Sequence, residues 1–217
     1  GREQFVMALE NAVCGIKPTQ AFPGGAPAGA TRAAEITAFD PALYTRSDMR
    51  RTDRLGMFTV CGVELACSDA GLKLAREMAP RTGIMAGSLH GPIASCKSFH
   101  KEIAMGRPDT VNPAIFPNTV ANAAVGLASI HLRLKGCNAV ITVGEASGLT
   151  AIAQAYELIR SGAADIMIAG GTDQLDPIAQ EGYALTRMVS PFVGGRNRSH
   201  GEMCRPFDTR SNGFVLG

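Results

Sequence analysis

ITVGEASGLTAIAQAYELIRSGAADIMIAGGTD, residues 141–173, runs an apolar strand into a tight turn, a helix and a second apolar strand. The first strand, AVITV over 139–143, shows no polar alternation, which suits a strand covered on both faces. The glycines of Gly144-Glu145-Ala146-Ser147-Gly148 let the backbone bend sharply and let another element approach closely. The helix, over about 147–161, places Leu149, Ile152, Ala153, Tyr156 and Ile159 on one face, and Gly162 stops it. The second strand, ADIMIA over 164–169, is apolar after Asp165. A helix of this length between two strands makes a crossover, so parallel strands and a right-handed connection are expected. The unit predicts an α/β fold.

At the tip of the turn stands Glu145, just ahead of a helix N-terminus. Backbone N–H groups there favour an anion by about 0.3–1 kcal/mol when exposed. A cysteine in such a place has a lowered pKa and becomes a nucleophile, whereas a glutamate is held as a carboxylate. Read from the residues alone, a helix-capping acid is the plainer of the two roles.

Outward from this unit, NTVANAAVGLASIHLRLKG over 118–136 reads as a helix whose small residues admit a close neighbour. Gly136 is expected to end it, with Lys135 complementing the helix dipole. A strand is expected over 83–88, within TGIMAGS, and loops with short helical pieces over 89–117. Another helix is expected to start near Ser47 or Thr52 and close at Gly71. Residues 16–47 are rich in Pro, Gly and Ala and read as irregular, while 1–15 read as a helix with Phe5, Leu9 and Val13 at helical spacing. From 174 onward the chain reads as loops, GGTDQ over 170–174 as a plain strand-end turn, and Asp208 with Arg210 as a local ion pair of small worth.

The 217 residues are 46% hydrophobic, enough for a real core. A net charge of +2 gives no strong field, so neither nucleic acid nor a membrane is expected as a partner. No apolar run approaches the roughly 20 residues of a membrane span, and the N-terminus reads as a short amphipathic helix rather than a signal peptide. The six cysteines, with no CxxC and no histidine at ligand spacing, suit a reduced cytoplasmic protein with no metal. Histidines 90, 100, 131 and 200 fall in unrelated contexts and read as structural. FPGGAPAG lacks a preceding strand and the GxGxxG spacing, and no Walker sequence occurs, so no cofactor is expected.

Four segments together resemble the N-terminal half of a β-ketoacyl synthase of the thiolase-like superfamily. They are RRTDRLGMFTVCGVELACSDAGL, NPAIFPNTVANAAVGLASIHLRLKG, the unit quoted first, and PFDTRSNGFVLG. The resemblance implies a thiolase-like layered α-β-α-β-α architecture, with 1–217 as the N-terminal half of a ketosynthase-like domain. It implies that the first strand and the whole C-terminal half, which carries two catalytic histidines and a lysine, lie outside this sequence. A fragment, a partly ordered chain, or one piece of a split or cleaved protein is therefore expected.

In the family the elbow carries the nucleophilic cysteine, and here Glu145 occupies that position, with Cys137 eight residues upstream. A carboxylate attacking a thioester would give a mixed anhydride, an uphill product and a poor acyl store, so no catalytic residue is expected here. The resemblance therefore points to the family's chain-length factors of type II polyketide systems. Such a subunit would form a heterodimer with a cysteine-bearing ketosynthase and shape the tunnel for a polyketide or fatty acyl chain carried by the phosphopantetheine of an acyl carrier protein. Its own C-terminal half, as a separate chain, is a further expected partner. In the family the interface strand follows the elbow helix and the 112–126 segment crosses toward the partner, which makes Ile115, Phe116 and Thr119 tunnel or interface candidates. Glu145 would hold the elbow by accepting its N–H groups. The alternatives are a malonyl-carrier-protein decarboxylase of the same fold, a component of an active β-ketoacyl-carrier-protein synthase, and a pure interaction protein.

Overall fold

The structure, a computed structural model, describes residues 2–19, 32–190, 205–209, 211 and 213–217. The chain divides into two compact units, one of Asp40–Gln174 and one of Gly1–Phe39 with Leu175–Gly217.

The first unit is built on three parallel strands, β3 (Thr82–Gly87), β4 (Asn138–Ile141) and β5 (Ile166–Gly171), in the order β4-β3-β5. All six residues of β3 are buried, as its place between two partners requires. Side chains alternate between the faces. Ile84 and Ala86 join Val60, Val125 and Ala128 in a core made with α2 (Arg54–Asp69) and α4 (Ala123–Leu132). Met85 points the other way, onto Ala151 and Ala155 of α5 (Ser147–Arg160). Helices thus cover both faces of a parallel sheet, as the α/β reading expects. The strand after the crossover pairs with β3 rather than with β4, so the β4–α5–β5 connection spans the central strand.

Several expected boundaries move. Helix α2 starts at Arg54, because the Asp53 carboxylate accepts the Gly56 N–H at 2.8 Å and closes the helix N-terminus. The same carboxylate accepts the Ser95 hydroxyl at 2.7 Å and so ties down α3 (Ile93–Ala104), a helix of 12 residues where short helical pieces among loops are expected. Helix α4 is shorter than its segment at both ends. Pro117 lies in a 3-10 stretch, Pro113–Thr119, that delays its start. Its end is Arg133, left-handed at φ 56°, and not Gly136. Gly136 serves instead as a close crossing: a Cβ there would lie 2.5 Å from the Thr82 carbonyl oxygen.

The large apolar stripe of α5 is the exposed side of the helix. Leu149, Ile152, Tyr156 and Ile159 are 76, 49, 63 and 45% exposed, while Ser147, Ala151 and Ala155 are buried. The helix lies too close to the sheet for large side chains. A Cβ at Gly87 would fall 2.2 Å from the Ser147 carbonyl carbon, and one at Gly148 would fall 3.3 Å from the Gly171 Cα.

In the second unit, α1 (Arg2–Glu10) is shorter than expected, and Phe5, Leu9 and Val13 are exposed. Two short strands, β1 (Lys17–Pro18) and β2 (Arg32–Ala33), pair antiparallel within the stretch read as irregular. Helix α6 (Pro177–Leu185) replaces an expected loop; the Asp176 carboxylate accepts the Ile178 N–H at 2.9 Å, and Pro177 opens the first turn. Tyr183 meets Phe214 edge-on at 5.2 Å, beside buried Ala184 and Val189. Arg210, the expected partner of Asp208, lies outside the described residues, as does His200. No helix among the described residues is long and apolar enough to cross a membrane.

Candidate functional site

The elbow follows the C-terminal end of β4, the end of a parallel sheet where ligand sites gather. Gly144 takes φ +76°, which lets the chain reverse into α5 within a few residues. Ser147, 3% exposed, holds this turn. Its hydroxyl accepts the Val143 N–H at 3.0 Å and donates to the Gly144 carbonyl, and its own N–H donates to the same carbonyl at 3.1 Å.

Glu145 does not hold the elbow. It is exposed, and its side chain makes no hydrogen bond or ion pair among the described residues. It caps nothing either, because the residue preceding α5 is Ala146 and no side chain caps the helix. Both expected structural roles of Glu145 are therefore overturned. The short hydroxyl of Ser147 reaches the turn's own groups, and the glutamate projects from the tip. Replacing Ser147 by Ala is expected to lower stability by about 1–2 kcal/mol, the worth of two intramolecular hydrogen bonds, with Ser147→Thr recovering part of it. Denaturant midpoints of the two variants check this; equal midpoints for Ala and wild type would remove Ser147 from this role.

Around the neighbouring strand ends, Asp173 organises the loop after β3. Its carboxylate accepts the Ser88 hydroxyl at 2.9 Å, the Leu89 N–H at 2.8 Å and the His90 N–H at 3.0 Å. The His90 ring stands 3.8 Å away, and the Ser88 oxygen accepts the Gly91 N–H at 2.9 Å. GGTDQ is therefore more than a plain strand-end turn. The signal that could have found Asp173 is its position: an acid two residues beyond a strand that ends level with Gly87.

Ile115, Phe116 and Thr119 share the 3-10 stretch, which packs against α3. The Phe116 ring lies 5.7 Å from that of Phe99, and the Thr119 carbonyl accepts the Cys96 thiol at 3.2 Å. Ile115 and Thr119 are half-buried and Phe116 is 58% exposed. A cavity of about 200 Å³ lies between α2 and the C-terminal halves of β3 and β5, bordered by Phe58, Val63, Ala86 and Thr172, and by none of these three residues. Cys137 is exposed, one residue before β4 and away from the turn tip in sequence. Among the described residues no cluster of His, Cys, Asp and Glu could hold a metal ion.

This arrangement has known counterparts. The model of the β-ketoacyl synthase N-terminal domain matches residues 10–217. The 3-oxoacyl-(acyl-carrier-protein) synthase 2 of Coxiella burnetii is 34% identical over 187 residues, covering 85% of this chain and 44% of that protein. The protein of the same name from Synechocystis sp. is 32% identical over 185 residues, 84% of this chain and 44% of its own. Among solved structures, a β-ketoacyl synthase from Burkholderia phymatum superposes with a TM-score of 0.82 at 25% identity, over 99% of this chain and 52% of that one. The ishigamide ketosynthase/chain length factor superposes at 0.70 with 22% identity, over 82% and 50% of the two chains, a likeness of fold. The chain thus spans about half the length of the relatives it matches.

Proposed function

We propose, for a chain that belongs to the β-ketoacyl synthase family, the role of a non-condensing subunit of the chain-length-factor kind. It pairs with a cysteine-bearing ketosynthase and helps shape the tunnel in which an acyl chain, delivered by an acyl carrier protein, is extended. The observation that carries this reading is Glu145, exposed at the tip of the elbow, where the resemblance to the family puts its nucleophilic thiol. A thiolate stores an acyl group as a thioester of the same energy as the donor. A carboxylate would have to form an anhydride, uphill from any thioester, and its charge disfavours a second anion beside it. The decarboxylase alternative needs such an anion, and so ranks lower.

A further feature supports the pairing: the apolar stripe of α5 at Leu149, Ile152, Tyr156 and Ile159 is exposed and offers a surface for a partner. Ile115, Phe116 and Thr119 are the proposed tunnel or interface positions.

The test reconstitutes the chain with a cysteine-bearing ketosynthase, carrier protein and malonyl donor. Condensation is expected to survive Glu145→Gln and to vanish when the partner's cysteine is replaced. Products of altered length from Phe116→Ala would support the tunnel assignment. Carbon dioxide released from malonyl-carrier protein after loss of the partner's cysteine would establish the decarboxylase instead, and condensation without any partner would overturn both.

A further inference from the structure

At the end of the sheet opposite the elbow, a cavity of about 820 Å³ opens between the segment leading into β3 and the C-terminal end of α4. Three cationic side chains border it, Arg76, Arg133 and Lys135, and no acidic side chain does. All three are exposed, and none makes an ion pair among the described residues. Leu74, Ile130 and Leu132 supply apolar wall, with Ile130 73% exposed. The two sides are tied together by the Lys135 N–H, which donates to the Ala79 carbonyl at 2.9 Å.

One of the cations is held at a cost. Arg133 ends α4 in the left-handed region, φ 56° and ψ 32°, where glycine or asparagine is the usual choice. A side chain with a Cβ costs about 1–2 kcal/mol there. Backbone geometry therefore favours another residue, and a positive charge at the lining of the cavity is what arginine adds. The end of α4 carries roughly half a negative charge, which three cations more than offset. The volume falls within the roughly 300–1,000 Å³ of small-molecule sites. A small anion would leave the apolar wall unused, and a neutral hydrophobe would have no use for three unpaired cations.

We propose that this cavity binds an amphipathic anion, an unbranched apolar chain ending in a carboxylate or phosphate. The site shares no residue with the elbow, so its failure and that of the ketosynthase-partner reading are separable.

The experiment titrates the 217-residue chain by calorimetry with dodecanoate, dodecyl phosphate and dodecanol, each below its aggregation concentration. Saturable one-to-one binding is expected for at least one anion, at least tenfold tighter than for dodecanol and weakening as salt is raised. The double variant Arg76→Glu/Lys135→Glu should weaken it by tenfold or more. Arg133→Gly, which suits the left-handed backbone, should keep or raise the melting temperature and still weaken anion binding several-fold. Equal affinity for dodecanol, an unchanged affinity in the double variant, or no saturable binding by either anion would each overturn the proposal.

Discussion

Gly87→Ala is expected to destabilise the Asp40–Gln174 unit by about 3 kcal/mol or more, at the upper end of what overpacking costs. The added methyl would lie 2.2 Å from the Ser147 carbonyl carbon and 2.3 Å from the Gly148 nitrogen. Both are backbone atoms of the first turn of α5, so no rotamer change relieves the clash. Relief would require α5 to lift from the sheet, which uncovers Met85, Ala151 and Ala155. Gly62 supplies the contrast. It lies inside α2 with nothing within 4 Å of its missing Cβ, so Gly62→Ala should stabilise by about 0.5–1 kcal/mol through helix propensity alone. Denaturant unfolding of both variants measures the pair of effects. A Gly87→Ala protein within 1 kcal/mol of wild type would show that helix and strand do not approach this closely.

Asp173→Ala is the second large effect, about 2–3 kcal/mol. The carboxylate is a charged acceptor for two backbone N–H groups and one hydroxyl, and such bonds are individually strong. Its side chain is 34% exposed, so water replaces part of what is lost and the sum of three full bonds is not reached. The damage should be local as well as global. Amide hydrogen exchange at Leu89 and His90 should quicken by tenfold or more relative to β3, while the amides of α4 keep their protection. Uniform loss across the unit would mean that Asp173 supports the fold at large rather than this loop.

Much of this was legible because the decisive signals are local. Strand, glycine turn, helix and strand follow one another within 141–173, and their boundaries shift by only a few residues. Helix α3 carries Ile93, Cys96, Phe99 and Ile103 at helical spacing, and α6 has an Asp-Pro start, but the polar residues between read as loop-rich, with only short helical pieces expected around α3. Which face of α5 turns inward has a physical cause that lies outside the helix's own residues. Size and hydrophobicity mark Leu149 and Tyr156 as core residues, yet a helix pressed against glycines buries its alanines and leaves its larger residues outside. The partners of Asp173 lie 83–85 residues away in the chain, so its position just beyond a strand end was the one local sign of its role. Glu145 drew attention by its position, but its side chain left the turn-closing work to the shorter Ser147.

The meeting of Gly87, Gly148 and Gly171 has a consequence for the elbow. Main chain against main chain fixes where the turn sits, and a buried hydroxyl fixes its shape. The residue at the tip takes part in neither. Its identity is thus free to change without loosening the turn, because the contacts that hold the elbow are made by other residues.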